Sequence, residues 1–424
     1  MHYLRRIVDD ELDELIEVLP AISLEGAKGV GKTETALQRA RSVFQLDDPA
    51  VQAIAEADPR ALLTQPPPVL LDEWQRVPPL WDAVRRAVDN GAPPGSFLLT
   101  GSASPDRPPT HSGAARVVTI RMRPLALSER YPDGEPTVSL RRLLAGGQPA
   151  IEGITETTLT EYTEEIVRSG FPGIHHLSGR PLRAQLDGYL DRIVDTDFVE
   201  MEREVRRPQL LRRWMTAYAA ATATSTGYET IRDAATPGEG NKPAKSTTIP
   251  YRDVLERLWI LDPLPAWIPG RSLIARLIRS PKHHLVDPGL AVRLLGLGTD
   301  ALLSGSESGP RVPRDGTLLG HLFESLVTLS VRVYAQAAEA SVKHMRTAGG
   351  AQEVDLIVER DDQKVVALEV KLSRNVNDND VHNLLWLRDR IGKDMIDAAV
   401  ITTGPQAYRR PDGIAVVPAA LLGA

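Results

Sequence analysis

Eight consecutive residues constrain this chain more than any other stretch: Gly26, Ala27, Lys28, Gly29, Val30, Gly31, Lys32 and Thr33. They satisfy the P-loop pattern G-x-x-x-x-G-K-[ST] at every fixed position. Gly26, Gly29 and Gly31 permit backbone conformations that a side chain would block, so successive N–H groups can converge on phosphate oxygens. In that pattern Lys32 reaches the β- and γ-phosphates and the Thr33 hydroxyl reaches Mg²⁺. The flanks agree. Ala21 to Leu24 reads as a short strand, and Thr33 to Phe44 as a helix with Ala36, Leu37, Ala40 and Val43 on one face. A strand, a glycine loop and a helix N-terminus in that order bind an anion. The competing interpretation, a glycine-rich turn with no ligand, leaves that order unexplained.

A length of 424 residues exceeds what one core serves and implies two or three domains. The chain is 42% hydrophobic and 25% charged, ordinary for a globular protein. It has no run of eighteen apolar residues, which argues against a membrane span. The acidic stretch after Arg6 does not read as a secretory signal. The absence of cysteine excludes disulfides and thiolate metal sites and agrees with a cytoplasmic location. The net charge of −6 argues against a uniformly basic surface, yet residues 203–285 carry 14 Lys/Arg against 7 Asp/Glu. Such a basic middle points either to a polyanionic partner or to a solvated, Arg-rich helical face.

About forty residues beyond the P-loop, Val69-Leu70-Leu71 runs into Asp72-Glu73. An apolar strand ending in two carboxylates places them at the C-terminal edge of an open sheet, where ligands sit. This is similar to a Walker B motif, with Asp72 on Mg²⁺ and Glu73 activating the attacking water. A third strand, Phe97 to Thr100, follows a helix at Leu80 to Val88 and completes a crossover. Thr100 and Ser102 at its tip are both candidates to sense the γ-phosphate or the attacking water, or to cap the next turn.

The P-loop, the Asp-Glu pair, "LLTGS" at 98–102 and "RPLALSE" at 123–129 occur in that order. Together they resemble the prokaryotic AAA-type ATPases that carry a C-terminal domain of unknown function. Those proteins usually have Gly-Arg before the last strand, whereas here Arg116 follows Ala115. Arg116 is therefore either a residue acting on a neighbouring subunit's nucleotide or a plain surface ion-pair partner. The turn Ser169-Gly170-Phe171-Pro172-Gly173, after a helix at 160–168, is similar to the turn that closes over the nucleotide in that family. Alternatively it simply ends the helix.

Residues 130–160 are loop-rich and read as a boundary or insertion. Arg183 to Glu202 reads as a helix joining domains. Helical runs at 210–221, 228–235 and 246–261, followed by a proline-bearing hairpin, resemble a winged helix-turn-helix, whose second helix can enter the DNA major groove. Lys242, Lys245, Arg252 and Arg257 would there meet phosphates. Modules of this kind also serve as protein contacts or ATPase lids.

Residues 281–290 resemble the family's entry into its last domain, and Ser304 to Pro310 reads as a linker. A helix over 318–335 contains Glu324, and strands over 353–358 and 365–371 follow. Alternation puts Ala367, Glu369 and Lys371 on one face of the second strand, with Asp355 on its neighbour. Holding these charges together is costly without a role. Glu324, Asp355, Glu369 and Lys371 resemble the PD-(D/E)xK nuclease core of restriction-endonuclease-like folds. The resemblance implies Mg²⁺ on Asp355 and Glu369, assisted by Glu324, with Lys371 stabilising the nucleophile or transition state. The bland alternative is an ion-pair cluster on a scaffold that has lost its metal.

The expectation is an α/β chain: an AAA-type P-loop core at 1–135 and a helical lid and linker at 136–205. A winged-helix-like unit at 206–285 and a nuclease-like α/β domain at 286–424 follow. ATP and Mg²⁺ are the implied cofactors, nucleic acid, most of all DNA, is the implied partner, and a homo-oligomer with a shared nucleotide site is open. The alternative is an ATP-controlled regulatory switch or DNA-binding protein with an inert nuclease-like scaffold.

Overall fold

The computed structural model describes residues 3–101, 114–131, 134, 136–198, 208–236, 245–269, 279–304 and 316–424. Ser102, Lys242, the side chain of Lys245 and residues 305–310 of the expected linker lie outside that set.

Five parallel strands form the nucleotide-side sheet: β1 (Ala21–Glu25), β2 (Ser42–Gln45), β3 (Val69–Asp72), β4 (Phe97–Gly101) and β5 (Val118–Arg121). Their spatial order is β2-β3-β4-β1-β5. Every residue of β3 and β4 is buried, as expected for central strands covered on both faces. The order separates the P-loop strand β1 from the Asp72 strand β3 by β4 alone. Loop and carboxylates thus meet at one sheet edge.

The helix expected to run to Phe44 ends at Leu37, and Ser42–Gln45 is the edge strand β2. Val43, counted on the helix's apolar face, is 41% exposed. The sequence Ser-Val-Phe-Gln alternates in exposure and pairs with β3, so a tertiary partner overrode a helical pattern. The expected joining helix runs Gly179–Arg192 and continues as a π-helical turn, Ile193–Asp197.

The stretch expected to be a loop or linker after 135 instead contributes to the C-terminal unit. Its helix Leu140–Ala145 packs on that sheet, and its strands β6 (Val138–Ser139) and β7 (Gly153–Ile154) pair with C-terminal strands. Two-residue strands carry no periodic signal, so only their partners define them. The remaining strands are β8 (Ala266–Trp267), β9 (Ser341–Arg346), β10 (Glu353–Glu359), β11 (Val365–Val370), β12 (Met395–Thr402), β13 (Gln406–Arg409), β14 (Ala415–Pro418) and β15 (Leu422–Gly423). Seven of these join β7 in the order β7-β13-β14-β12-β11-β10-β9-β8, while β15 pairs with β6.

Between β7 and β8 in sequence come, among others, the helices Pro208–Ala220, Tyr228–Ala234 and Lys245–Arg257. An antiparallel ladder follows, marked by bridges Leu261 to Leu285 and Leu264 to Lys282. The long helix Gly316–Ala337 crosses from the C-terminal unit to the nucleotide side. There its Ser330 and Tyr334 hydroxyls accept from the N–H groups of Leu127 and Ser128 at 3.0 and 3.1 Å. Those donors open the short helix of the "RPLALSE" stretch, where the Glu129 carboxylate takes the Ala126 N–H and the two hydroxyls take the next two.

Candidate nucleotide site and C-terminal acidic cluster

β1 delivers the chain into the loop. Gly26, Gly29 and Gly31 take φ values of 155°, 81° and 100°. A Cβ at Gly26 would stand 2.2 Å from the Met122 carbonyl oxygen, so this glycine is required by close approach as well as by conformation. Lys32 is 5% exposed, and its ammonium donates to the carbonyls of Gly26 and Ala27, both at 2.9 Å. Burial pushes its pKa down to about 8, against the pull of Glu73 and Asp72. A phosphate would return the ammonium to full charge.

Asp72 stands across β4. The Thr33 hydroxyl donates to its Oδ1 at 2.8 Å, and the Thr100 hydroxyl donates to the same oxygen. Burial raises the Asp72 pKa, and the two hydroxyls oppose that rise. Of the two expected sensors, Thr100 therefore lies against Asp72, and Ser102 is outside the described residues. Glu73 has a left-handed backbone (φ 56°), and its carboxylate accepts a hydrogen bond from Gln75 Nε2. The donor set of Thr33 Oγ and the Asp72 carboxylate is all oxygen and already converges, which fits a hard divalent cation.

The turn at 169–172 lies on the loop. A Cβ built at Gly29 would be 3.8 Å from Phe171 Cδ1, and one at Gly31 would be 3.8 Å from Pro172 Cγ. Phe171 packs against Tyr189 with ring centroids 4.9 Å apart and planes tilted by 41°, and the Tyr189 hydroxyl donates to the Lys28 carbonyl at 3.1 Å. The Lys28 ammonium pairs with Asp197 at 2.6 Å. Asp287 secures the turn from the other side, accepting from the Gly170 N–H at 2.7 Å.

Sequence reasoning missed Arg6. This buried guanidinium donates to the Val30 carbonyl at 2.9 Å and the Arg123 carbonyl at 3.0 Å, and pairs with Glu129 at 2.9 Å. It braces the loop, and one of two adjacent arginines before the first helix gives no pattern that would reveal it. Arg116 pairs with Asp89 at 2.8 Å within the same chain.

If the loop takes a nucleotide, burial that pushes the free Lys32 down to about 8 and a phosphate that raises it again would keep ATP affinity flat below that pH and make it fall above. Calorimetric titration from pH 7 to 9.5 should show a loss approaching about tenfold per unit once pH exceeds 8. A constant Kd across the range would contradict this.

In the C-terminal unit, Glu324, Asp355 and Glu369 are all buried, yet a residue not anticipated as a participant stands among them. The Lys282 ammonium lies 2.7 Å from Glu324 Oε1, 2.8 Å from Asp355 Oδ1 and 3.1 Å from Glu353 Oε1. Glu369 Oε1 is held by Lys371 at 2.7 Å, and Asp355 Oδ2 accepts from the Val370 N–H at 2.9 Å. Burial raises the Glu324 and Glu369 pKa values to about 8, with the nearby Asp355 adding to the rise. For Asp355 burial pulls upward, but Lys282 outweighs it and the value is lowered. Glu369 Oε2 is the one carboxylate oxygen of this set, among the described residues, that is buried without a hydrogen-bond partner. A single orphaned oxygen is not a ligand set. The expected Mg²⁺ on Asp355, Glu369 and Glu324 does not fit, because an ammonium already holds the oxygens of two of them. Among the described residues no group of three or more His, Asp or Glu side chains is arranged to hold a metal ion.

Residues 19–131 match the family model of the AAA domain. The matched stretch contains the loop at 26–33 and all five strands of the first sheet. Residues 159–301 and 319–422 match two domains of unknown function (DUF8612 and DUF4143), so two further family matches follow the one at 19–131. Uncharacterized proteins of Mycobacterium bovis and Mycobacterium tuberculosis are each 26% identical over 300 residues, 69% of this chain. The chain spans 60% of the length of those relatives. A Walker-type ATPase of Pyrococcus abyssi aligns over 68% of this chain and 94% of its own, at 13% identity and a TM-score of 0.37. Among the described residues, no helix is long and apolar enough to cross a membrane.

Proposed function

We propose that the AAA domain binds ATP with Mg²⁺ and hydrolyses it, and that the nucleotide state is passed to the helical middle and the C-terminal unit. The observation that carries the reading is the meeting of the Thr33 and Thr100 hydroxyls on one oxygen of Asp72, beside a buried Lys32. In this reading the N–H groups of residues 26–33 and the Lys32 ammonium bind the phosphates. Thr33 and Asp72 would hold the Mg²⁺, which would supply charge neutralisation for phosphoryl transfer. Glu73 accepts the proton of the attacking water, and Gln75 orients its carboxylate. Phe171 and Pro172 exclude solvent from the loop.

Two paths support transmission. Asp287 ties the covering turn to the segment that also carries Lys282, and Arg6 ties the loop to the Arg123 carbonyl, whose side chain meets Asp262 and, through it, Arg332 of the long helix. Nucleic-acid binding is a second reading, favoured by the basic balance of residues 203–285 and by the three helices followed by an antiparallel ladder. Against it, Arg212, Arg232 and Arg252 are each engaged by a neighbouring aspartate. Cleavage by the C-terminal unit is not part of either reading.

The test is phosphate release and ATP binding by wild type and Lys32→Ala, with and without duplex DNA. Lys32→Ala should lose about 100-fold or more in turnover, the scale of one lost oxyanion donor. Wild-type turnover in that variant would overturn the proposal. DNA binding that weakens steeply between about 50 and 200 mM salt would establish the second reading, and its absence would remove it.

A further inference from the structure

The acidic cluster of the C-terminal unit already contains its cation. Lys282 comes from the middle unit's ladder, where its N–H and carbonyl pair with Leu264 at 2.9 and 2.8 Å, and it is 2% exposed. An ammonium has three protons, and three carboxylates stand within 2.7 to 3.1 Å of this one. Each donor therefore has an acid to itself. Asp355's other oxygen is taken by a backbone N–H, and Glu369 is taken by Lys371. Mg²⁺ needs its oxygens at about 2.0–2.1 Å, and Lys282 holds an oxygen of Glu324 and one of Asp355 while Lys371 holds one of Glu369. Ammonium and metal compete for one place.

We infer that Lys282 is the resident counter-ion of this cluster. It stands where a nuclease-like domain would bind a divalent metal, and the cluster clamps the middle ladder to strands β10 and β11 instead of supporting phosphodiester cleavage. The inference is independent of the nucleotide reading, since none of these residues belongs to the AAA domain.

The test measures free Mn²⁺ by electron paramagnetic resonance on the full chain. The chain carries Asp72→Asn and no nucleotide, so that the P-loop metal does not contribute. With Lys282 present, no site tighter than about 1 mM is expected. Lys282→Met in the same background should gain one site at least about tenfold tighter, and adding Glu369→Gln or Asp355→Asn should abolish it. A Mn²⁺ site in the Lys282 protein that either acid substitution removes would overturn the inference. So would a folded Lys282→Met protein that gains no site. Should Lys282→Met fail to fold, the Lys282 protein decides alone, since an acid-dependent Mn²⁺ site there refutes the inference and its absence upholds it.

Discussion

Glu73→Gln is expected to reduce ATP turnover by about 10²–10⁴-fold while leaving ATP affinity within a few fold of wild type. The side chain stands one residue beyond Asp72 at the C-terminal edge of β3, held by Gln75, and Gln75 lies against the end of β4 at Gly101. The substitution keeps the shape and removes only the capacity to accept a proton from water. Phosphate release under saturating ATP gives the first quantity, and calorimetric or fluorescent-nucleotide titration gives the second. Loss of both together would mean that Glu73 supports the loop instead of the reaction. Unchanged turnover would remove it from the chemistry. The comparison with Lys32→Ala is informative because that variant should fail at binding, upstream of the step Glu73 serves.

Asp262→Ala should be the most destabilising single substitution outside the hydrophobic core. Asp262 is 5% exposed and gathers guanidinium groups from two other parts of the chain. Arg121 at 3.0 Å and Arg123 at 2.9 Å come from the AAA domain, and Arg332 comes from the long C-terminal helix. Burial alone would raise its pKa, but the three cations hold it well below the usual carboxylate range. Removing the carboxylate leaves three mutually repelling charges at a junction where Arg332 is buried, a loss of about 3–5 kcal/mol. Chemical denaturation should register this as a lower midpoint for the transition that separates the units. Asp262→Ala with Arg332→Met should recover part of the loss, since the second change removes one of the stranded charges. A single variant within about 0.5 kcal/mol of wild type would show that the junction is not held this way.

How much of this was legible beforehand follows the range of each interaction. The loop at 26–33, the strands at Ala21, Val69 and Phe97, and the helix near Leu80 were legible because glycine conformations and apolar runs are local properties. Asp355 and Glu369 were legible as an unusual pair, because charged residues on a buried strand stand out against its pattern, and Glu324 because it breaks an apolar helix. What occupied the space among them was not. Lys282 lies 42 residues from Glu324 and 73 from Asp355, in a stretch with no periodic signal. Arg6 and Asp262 were hidden for the same reason.

The sequence alone determined the phosphate loop, the paired carboxylates after it and an α/β architecture, since each depends on the conformational freedom of a few adjacent residues. The tertiary structure decided that residues 42–45 are a strand and that the stretch at 138–154 belongs to the distant sheet. It also decided that the acidic cluster is neutralised by a lysine from another unit. Those outcomes depend on which backbone edge or which charge arrives from far along the chain, and burial makes such encounters decisive because an unpaired strand edge or an unpaired charge costs more than local preference can offset.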